Sequence, residues 1–189
     1  MTLVTSAVIF AAEAHDGMVR RGSDTPYIVH PMEAAAIAAA LTQDEEVIAA
    51  AVLHDVVEDC GVGYGELRDR FGERVASLVE TESHTPGEEW LARKKETIEK
   101  LSRGGRVACI LALADKLSNM RAIRRDYARD GEAMFLKFHV KDKRKHAWYY
   151  HSCAALIGRE LSDTDSWREL DRLVGEVFGD NFPQLPEMA

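Results

Sequence analysis

The stretch Asp44-Glu45-Glu46-Val47-Ile48-Ala49-Ala50-Ala51-Val52-Leu53-His54-Asp55-Val56-Val57-Glu58-Asp59 decides how the chain is read. Val47, Ile48, Ala51 and Val52 recur at helical spacing, and Asp44 suits the N-cap ahead of them. One helix from Asp44 down to about Asp59 is expected. The same habit continues on both sides. Val and Ile occur singly within Ala-, Leu- and Glu-rich segments, and no stretch keeps strict alternation. Upstream, a helix from Leu3 to His15 stops at Asp16-Gly17, and a second starts at Pro31 and runs through Leu41. Downstream, Gly61, Gly63 and Gly65 break the chain before short helices over Glu66 to Phe71 and Glu73 to Glu82. Ser83 to Gly87 reads as a loop and Glu88 to Leu101 as helix. Val107, Ile110, Leu111, Ala114 and Leu117 then form one apolar stripe of 3.6-residue period. Helices over about His146 to Leu161 and Asp165 to Phe178 complete an all-α chain. It reads as a single domain over 1–189, with its motifs in about 3–125 and C-terminal helices in 126–180.

The 189 residues are 46% hydrophobic and 30% charged, an ordinary globular balance with enough chain for a full core. Lys and Arg number 24 against 32 Asp and Glu, a net charge of −8. Non-specific nucleic-acid binding needs a basic excess, so no nucleic-acid partner is expected, although a small basic pocket for a phosphorylated ligand fits. The apolar runs Ala34 to Leu41 and Val107 to Ala114 fall far short of the roughly 20 residues that span a bilayer, so no membrane partner is expected. Ala7 to Ala12 is likewise too short for a signal-peptide core. Cys60, Cys109 and Cys153 form no CxxC pair, which argues against a disulfide framework or a cysteine zinc site. A reducing, cytoplasmic setting is the expectation. Nothing in the pattern selects an oligomeric state.

Among 7 His and 14 Asp, a His-Asp dipeptide arises readily by chance, and the chain has two. His15-Asp16, at a helix end before Gly17, reads as a surface or capping pair. His54-Asp55 instead lies in an apolar helix, with Glu58-Asp59 one turn on. Glu58 is i+4 from His54 and i+3 from Asp55, so the three share a face. Such a cluster repels itself and resists desolvation unless a cation or water relieves it. An exposed acidic helix end is the plainer alternative, but the helix dipole disfavours carboxylates at a C-terminal end. His30, just before Pro31, reads on its own as a structural histidine. Asp115 sits in the apolar run Ile110 to Leu117, with Asn119 one turn on, and wants a partner. Lys116 points about 100° away and is not an obvious one. Two imidazoles and two carboxylates form a mixed N/O set suited to Mn²⁺, Fe²⁺ or Zn²⁺, with open positions for an activated water.

The order His30-Pro31, then His54-Asp55-Val56-Val57-Glu58-Asp59, then Leu113-Ala114-Asp115-Lys116-Leu117-Ser118-Asn119-Met120-Arg121 resembles the HD-domain hydrolases of the alarmone (p)ppGpp. The likeness is to the small stand-alone hydrolases related to the hydrolase domain of the Rel/SpoT enzymes. Ala14-His15-Asp16-Gly17, Arg20-Arg21, Thr25-Pro26-Tyr27-Ile28-Val29-His30-Pro31, Phe71-Gly72, and Trp90 with Arg93-Lys94 extend it. It covers about Leu3 to Ile123, and more weakly Trp148 to Leu161. The resemblance implies an HD-domain helical bundle in which His30, His54, Asp55 and Asp115 hold one Mn²⁺, other divalent transition metals being possible. It implies that Glu58 and Asp59 orient or deprotonate the attacking water. Arg20 and Arg21 would meet the guanine base and nearby groups, while Lys116 and Asn119 approach the nucleotide. The implied reaction removes the 3′-pyrophosphate of ppGpp or pppGpp, a small-molecule substrate, giving GDP or GTP.

Arg93, Lys94 and the run Lys141 to Lys145 are candidates for the other diphosphate, the last reading more simply as a solvated basic face. Trp148-Tyr149-Tyr150 reads as core packing or as the wall of a base pocket, with Tyr149 the candidate contact. The sequence departs from the family at the glycine run Gly61 to Gly65, which replaces a threonine-rich turn. It departs again at Ala92, where many members carry glutamate, and at Ala122, where related domains offer a polar residue to the sugar. Alternatives are an HD phosphohydrolase acting on another nucleotide, such as the 2′-phosphate of NADPH, or a non-catalytic nucleotide sensor.

Overall fold

The structure is a computed structural model that describes residues 1–82 and 89–181. Helix α1 (Leu3–Ala14) starts where the Thr2 hydroxyl accepts from the Thr5 N–H at 3.2 Å. Its buried face is small, Ala7 and Ala11, and it packs on α3 (Glu45–Leu53), whose buried residues include the equally small Ala49, Ala50 and Ala51. Between them in sequence lies α2 (Val29–Ala39), which begins two residues before the expected Pro31. The backbone N–H groups of Val29 and His30 already bond back to Pro26 and Tyr27. Pro31 therefore falls at the third helical position, where an N–H has no intrahelical partner to lose.

The expected helix from Asp44 to Asp59 is two helices. Asp44 does cap it, accepting from the Glu46 N–H at 3.1 Å, but α3 ends at Leu53 and α4 (Val56–Cys60) follows. The break falls at Asp55, whose φ of −96° and ψ of −9° lie in the bridge region where active-site residues often sit. Glu58 and Asp59 thus stand in the first turn of α4, the end a helix dipole favours for carboxylates. The expectation that they burden a C-terminal end is overturned. Gly61, at a left-handed φ of +71°, closes α4.

Next come α5 (Tyr64–Phe71), α6 (Glu73–Glu82) and α7 (Trp90–Arg103). The expected loop Ser83 to Gly87 lies outside the described residues. The spine is α8 (Arg106–Asp130), 25 residues long, which buries Leu113, Leu117 and Met120 completely. It packs against α2, against α9 (Lys143–Leu161) and against α10 (Asp165–Phe178). Truncating Leu113 to alanine there would cost about 2–5 kcal/mol. A 3-10 segment, Gly131–Lys137, links α8 to α9. Helix α9 starts three residues before the expected His146, because the Asp142 carboxylate caps the Arg144 N–H at 2.9 Å. The basic run is thereby partly helical. Trp148, Tyr149 and Tyr150 are buried, as core packing requires. The described residues contain helices and no strand, and their buried apolar side chains form one cluster reaching from α1 to α10.

Candidate metal centre

Helices α2 and α8 and the break between α3 and α4 bring four polar side chains together: ligand atoms of His30, His54 and Asp115 all lie within 4.8 Å of one another, and Asp55 faces the two imidazoles. His30 Nε2 lies 3.4 Å from Asp55 Oδ2 and 3.3 Å from Asp115 Oδ1. His54 Nε2 lies 3.1 Å from Asp55 Oδ2 and 3.7 Å from Asp115 Oδ1. The two Nε2 atoms are 3.2 Å apart. Donors about 2.1 Å from a shared ion, at angles of about 90–110°, sit roughly 3.0–3.4 Å from each other, close to this spacing.

The outer bonds fix which ring nitrogens carry protons. His54 Nδ1 donates to the Ala51 carbonyl at 2.9 Å. His30 Nδ1 meets Ser118 Oγ at 2.8 Å, and Ser118 donates onward to Glu33 Oε2 at 2.7 Å. Arg121 Nη1 donates to the other Glu33 oxygen at 2.9 Å while binding Glu169 through Nε and Nη2. With the Ser118 proton spent on Glu33, its oxygen accepts from His30 Nδ1–H. With Nδ1 carrying a proton on each ring, both Nε2 atoms face two carboxylates, an arrangement that repels unless a cation or a further proton lies among them. This donor set fits a divalent ion. Burial works against charge on His54, but Asp55 and Asp115 outweigh it and lift its pKa to about 10. Burial would raise both carboxyls, and the neighbouring cationic groups hold them well below the usual carboxylate range, His54 and His30 at Asp55 and chiefly Lys116 at Asp115. The pair of acids draws positive charge to this spot.

Beside the four groups opens a cavity of about 150 Å³. Arg20, Glu58, Lys94, Lys116 and Asn119 line it together with the four. Asn119 donates its amide to Asp115 and accepts from Arg20 Nη2 at 2.7 Å. Lys116 reaches Asp115 after all, because its flexible stem folds back inside the cavity. Burial, then Lys116, pull the Lys94 ammonium down to about 8. The Lys94 and Lys116 ammoniums lie 4.6 and 5.8 Å from the Tyr149 ring centroid. Tyr149 thus stands behind the lysines and does not line the cavity. Asp59, Arg21 and Arg93 do not line it either. Asp59 is exposed. Arg21 sits on the exposed turn after Arg20, where successive side chains diverge. Arg93 is one helical step, about 100°, from Lys94 and has its Nε buried away from the cavity.

Sequence reasoning missed Tyr27, Ser118, Glu33 and Glu82. Tyr27 donates to Asp55 Oδ2 at 2.8 Å, and its place three residues before His30 was a usable signal. Ser118 and Glu33 each lie three residues from a first-named ligand, on the same helix face. Glu82 lines the cavity, and burial raises its carboxyl while Lys116 opposes that. No local signal marks it. His15 is buried, at 2% exposure, and not on the surface; it does close α1 as expected.

A family model described as HD domain matches residues 7–141, more than half of the chain. The chain belongs to the HD-domain family. Within it, a guanosine-3′,5′-bis(diphosphate) 3′-pyrophosphohydrolase of Aquifex aeolicus is 38% identical over 124 residues, which are 64% of this chain and 18% of that protein. The enzyme of the same name designated MESH1 from Xenopus tropicalis is 35% identical over 65% of this chain and 70% of its own length. The chain spans 18% to 25% of the first curated relatives it matches. Its fold is shared with a metazoan SpoT ortholog described as hydrolysing ppGpp, at a TM-score of 0.77 and 23% identity, covering 93% of this chain and 96% of that one. A Listeria monocytogenes protein superposes at 0.73, with 28% identity over 79% of this chain and 98% of the other. Among the described residues, no helix is long and apolar enough to cross a membrane.

Proposed function

We propose that this HD-domain protein is a Mn²⁺-dependent hydrolase that removes the 3′-pyrophosphate of ppGpp and pppGpp in the cytoplasm. The observation that carries the reading is the set of two imidazole Nε2 atoms and two carboxylates beside a cavity lined by an acid, Glu58, and by two lysines, Lys116 buried and Lys94 half-buried. His30, His54, Asp55 and Asp115 would hold the ion, which when bound polarises the phosphoryl group and acidifies water. Glu58, on the cavity wall, accepts the proton of the attacking water, and Asp59 supports it from the rim. Water oxygen bonds to the phosphorus on the 3′ oxygen as that phosphorus–oxygen bond breaks, and the departing nucleotide oxygen takes up a proton. Lys94 and Lys116 offset the charge on the phosphate oxygens, held in place by the Tyr149 ring. Arg20, braced by Asn119, presents its guanidinium plane to the base. Arg21 and Arg93, away from the cavity wall, carry no step.

The names of the Aquifex and Xenopus relatives support the substrate. Parallel turnover of ppGpp, pppGpp, NADPH and deoxynucleotides with Mn²⁺ tests it. Pyrophosphate release from ppGpp or pppGpp in clear preference is expected. Preference for NADPH would make the chain a phosphatase of another nucleotide. Tight ppGpp binding without product would make it a sensor. Either outcome overturns the proposal.

A further inference from the structure

Tyr27 sits where the parts of this centre meet. Its hydroxyl donates to Asp55 Oδ2 at 2.8 Å, the same oxygen that faces the Nε2 atoms of His30 and His54. Its ring is held on three sides. His15 stacks on it at 4.9 Å and 12°, His30 meets it edge-on at 6.0 Å, and the Arg20 guanidinium lies 5.4 Å from its centroid. The ring has little freedom, so the O–H arrives at the Asp55 carboxylate already aimed.

We propose that Tyr27 is a positioning residue: its hydroxyl fixes the metal-facing oxygen of Asp55, with His15 as the plate that holds the ring. This rests on reading His30, His54, Asp55 and Asp115 as the ligands of a divalent ion. The chain order supports it. Asp55 sits at a helix break, with only a bridge-region backbone to hold it, and a side chain there needs an outside bond to keep one rotamer. Tyr27 supplies that bond from the loop before α2. The same loop carries Arg20, so the metal-side oxygen and the substrate-side arginine are set by one ring.

The test compares wild type with Tyr27→Phe, which removes only the hydroxyl, and His15→Ala, which removes the plate. Calorimetric Mn²⁺ titration of the metal-free proteins is the first readout, followed by kcat and KM on ppGpp and by the melting temperature without metal. Tyr27→Phe is expected to weaken Mn²⁺ about tenfold or more. It is expected to lower kcat at saturating Mn²⁺ by about tenfold with KM within about twofold. The metal-free melting temperature should stay within a few degrees of wild type. His15→Ala is expected to lower the melting temperature while changing Mn²⁺ affinity less than Tyr27→Phe does. Mn²⁺ affinity within twofold of wild type in Tyr27→Phe overturns the proposal, as does loss of its helical circular-dichroism signal. An equal loss of affinity in His15→Ala also overturns it, since packing would then be the cause. A wild type that binds Mn²⁺ but leaves ppGpp intact defeats the proposed reaction, while the affinity comparison still decides Tyr27. A wild type that binds no Mn²⁺ defeats both.

Discussion

His15-Asp16 closes α1 and His54-Asp55 closes α3, and the two pairs begin alike. Each imidazole is buried, at 2% and 7% exposure, and each offers Nδ1 to a carbonyl of its own helix, Ala11 at 2.8 Å and Ala51 at 2.9 Å. What differs is the far side of the ring. His54 Nε2 faces His30, Asp55 and Asp115, whereas His15 Nε2 is buried with no partner among the described residues and its ring lies flat on Tyr27. Asp55 turns inward at a helix break, and Asp16 stays exposed before Gly17. One dipeptide thus belongs to the centre and the other to its scaffold. A histidine's local bonds set its tautomer, and the tertiary partners of the other nitrogen set its role.

The largest expected effect separates the two pairs. His54→Ala or Asp115→Ala should abolish both Mn²⁺ binding by calorimetry and turnover while keeping the helical circular-dichroism spectrum. His15→Ala should retain Mn²⁺ binding. Chelation of the wild type should mimic the first pair, with activity restored by added Mn²⁺. Glu58→Gln comes next: a fall in kcat of about 10²–10⁴ with KM and Mn²⁺ affinity held is expected from steady-state kinetics. Unchanged kcat would remove Glu58 from the reaction.

Ser118→Ala sharpens the comparison at the outer bonds. It frees His30 to change tautomer, and an Mn²⁺ affinity about tenfold weaker is expected, while the same change at Ser152, buried on α9, should leave affinity alone. The smallest effect concerns pH. Lys94 has a pKa near 8, below the ordinary lysine value, so its charged form is present below about 8 and lost above it. KM for ppGpp should rise as pH passes 8, and Lys94→Arg should remove that rise. The stability sign is opposite. The folded state gives up this proton more easily than the unfolded chain, so Lys94 adds stability as pH rises from about 8 toward the ordinary lysine range.

The helices were legible because their apolar periodicity and caps are local properties. Asp44, Asp142 and Thr164 each cap with their own side chain, and α10 has the bounds its sequence implies. The break at Asp55 was not legible. Val56 and Val57 continue the apolar pattern, and only the tertiary demand that Asp55 turn toward α2 and α8 interrupts it. The candidate ligands stood out because polar residues in apolar helices need partners, as Asp115 shows. Tyr27 and Glu33 stayed hidden for the opposite reason. Each is ordinary in its own segment and acts through bonds to residues 28 and 85 positions away.

The most direct test is a crystal grown with Mn²⁺ and measured with anomalous scattering. One strong peak is expected roughly 2.0–2.2 Å from His30 Nε2, His54 Nε2 and one oxygen each of Asp55 and Asp115. A crystal saturated with Mn²⁺ that shows no peak there, or a peak held by other side chains, would contradict it.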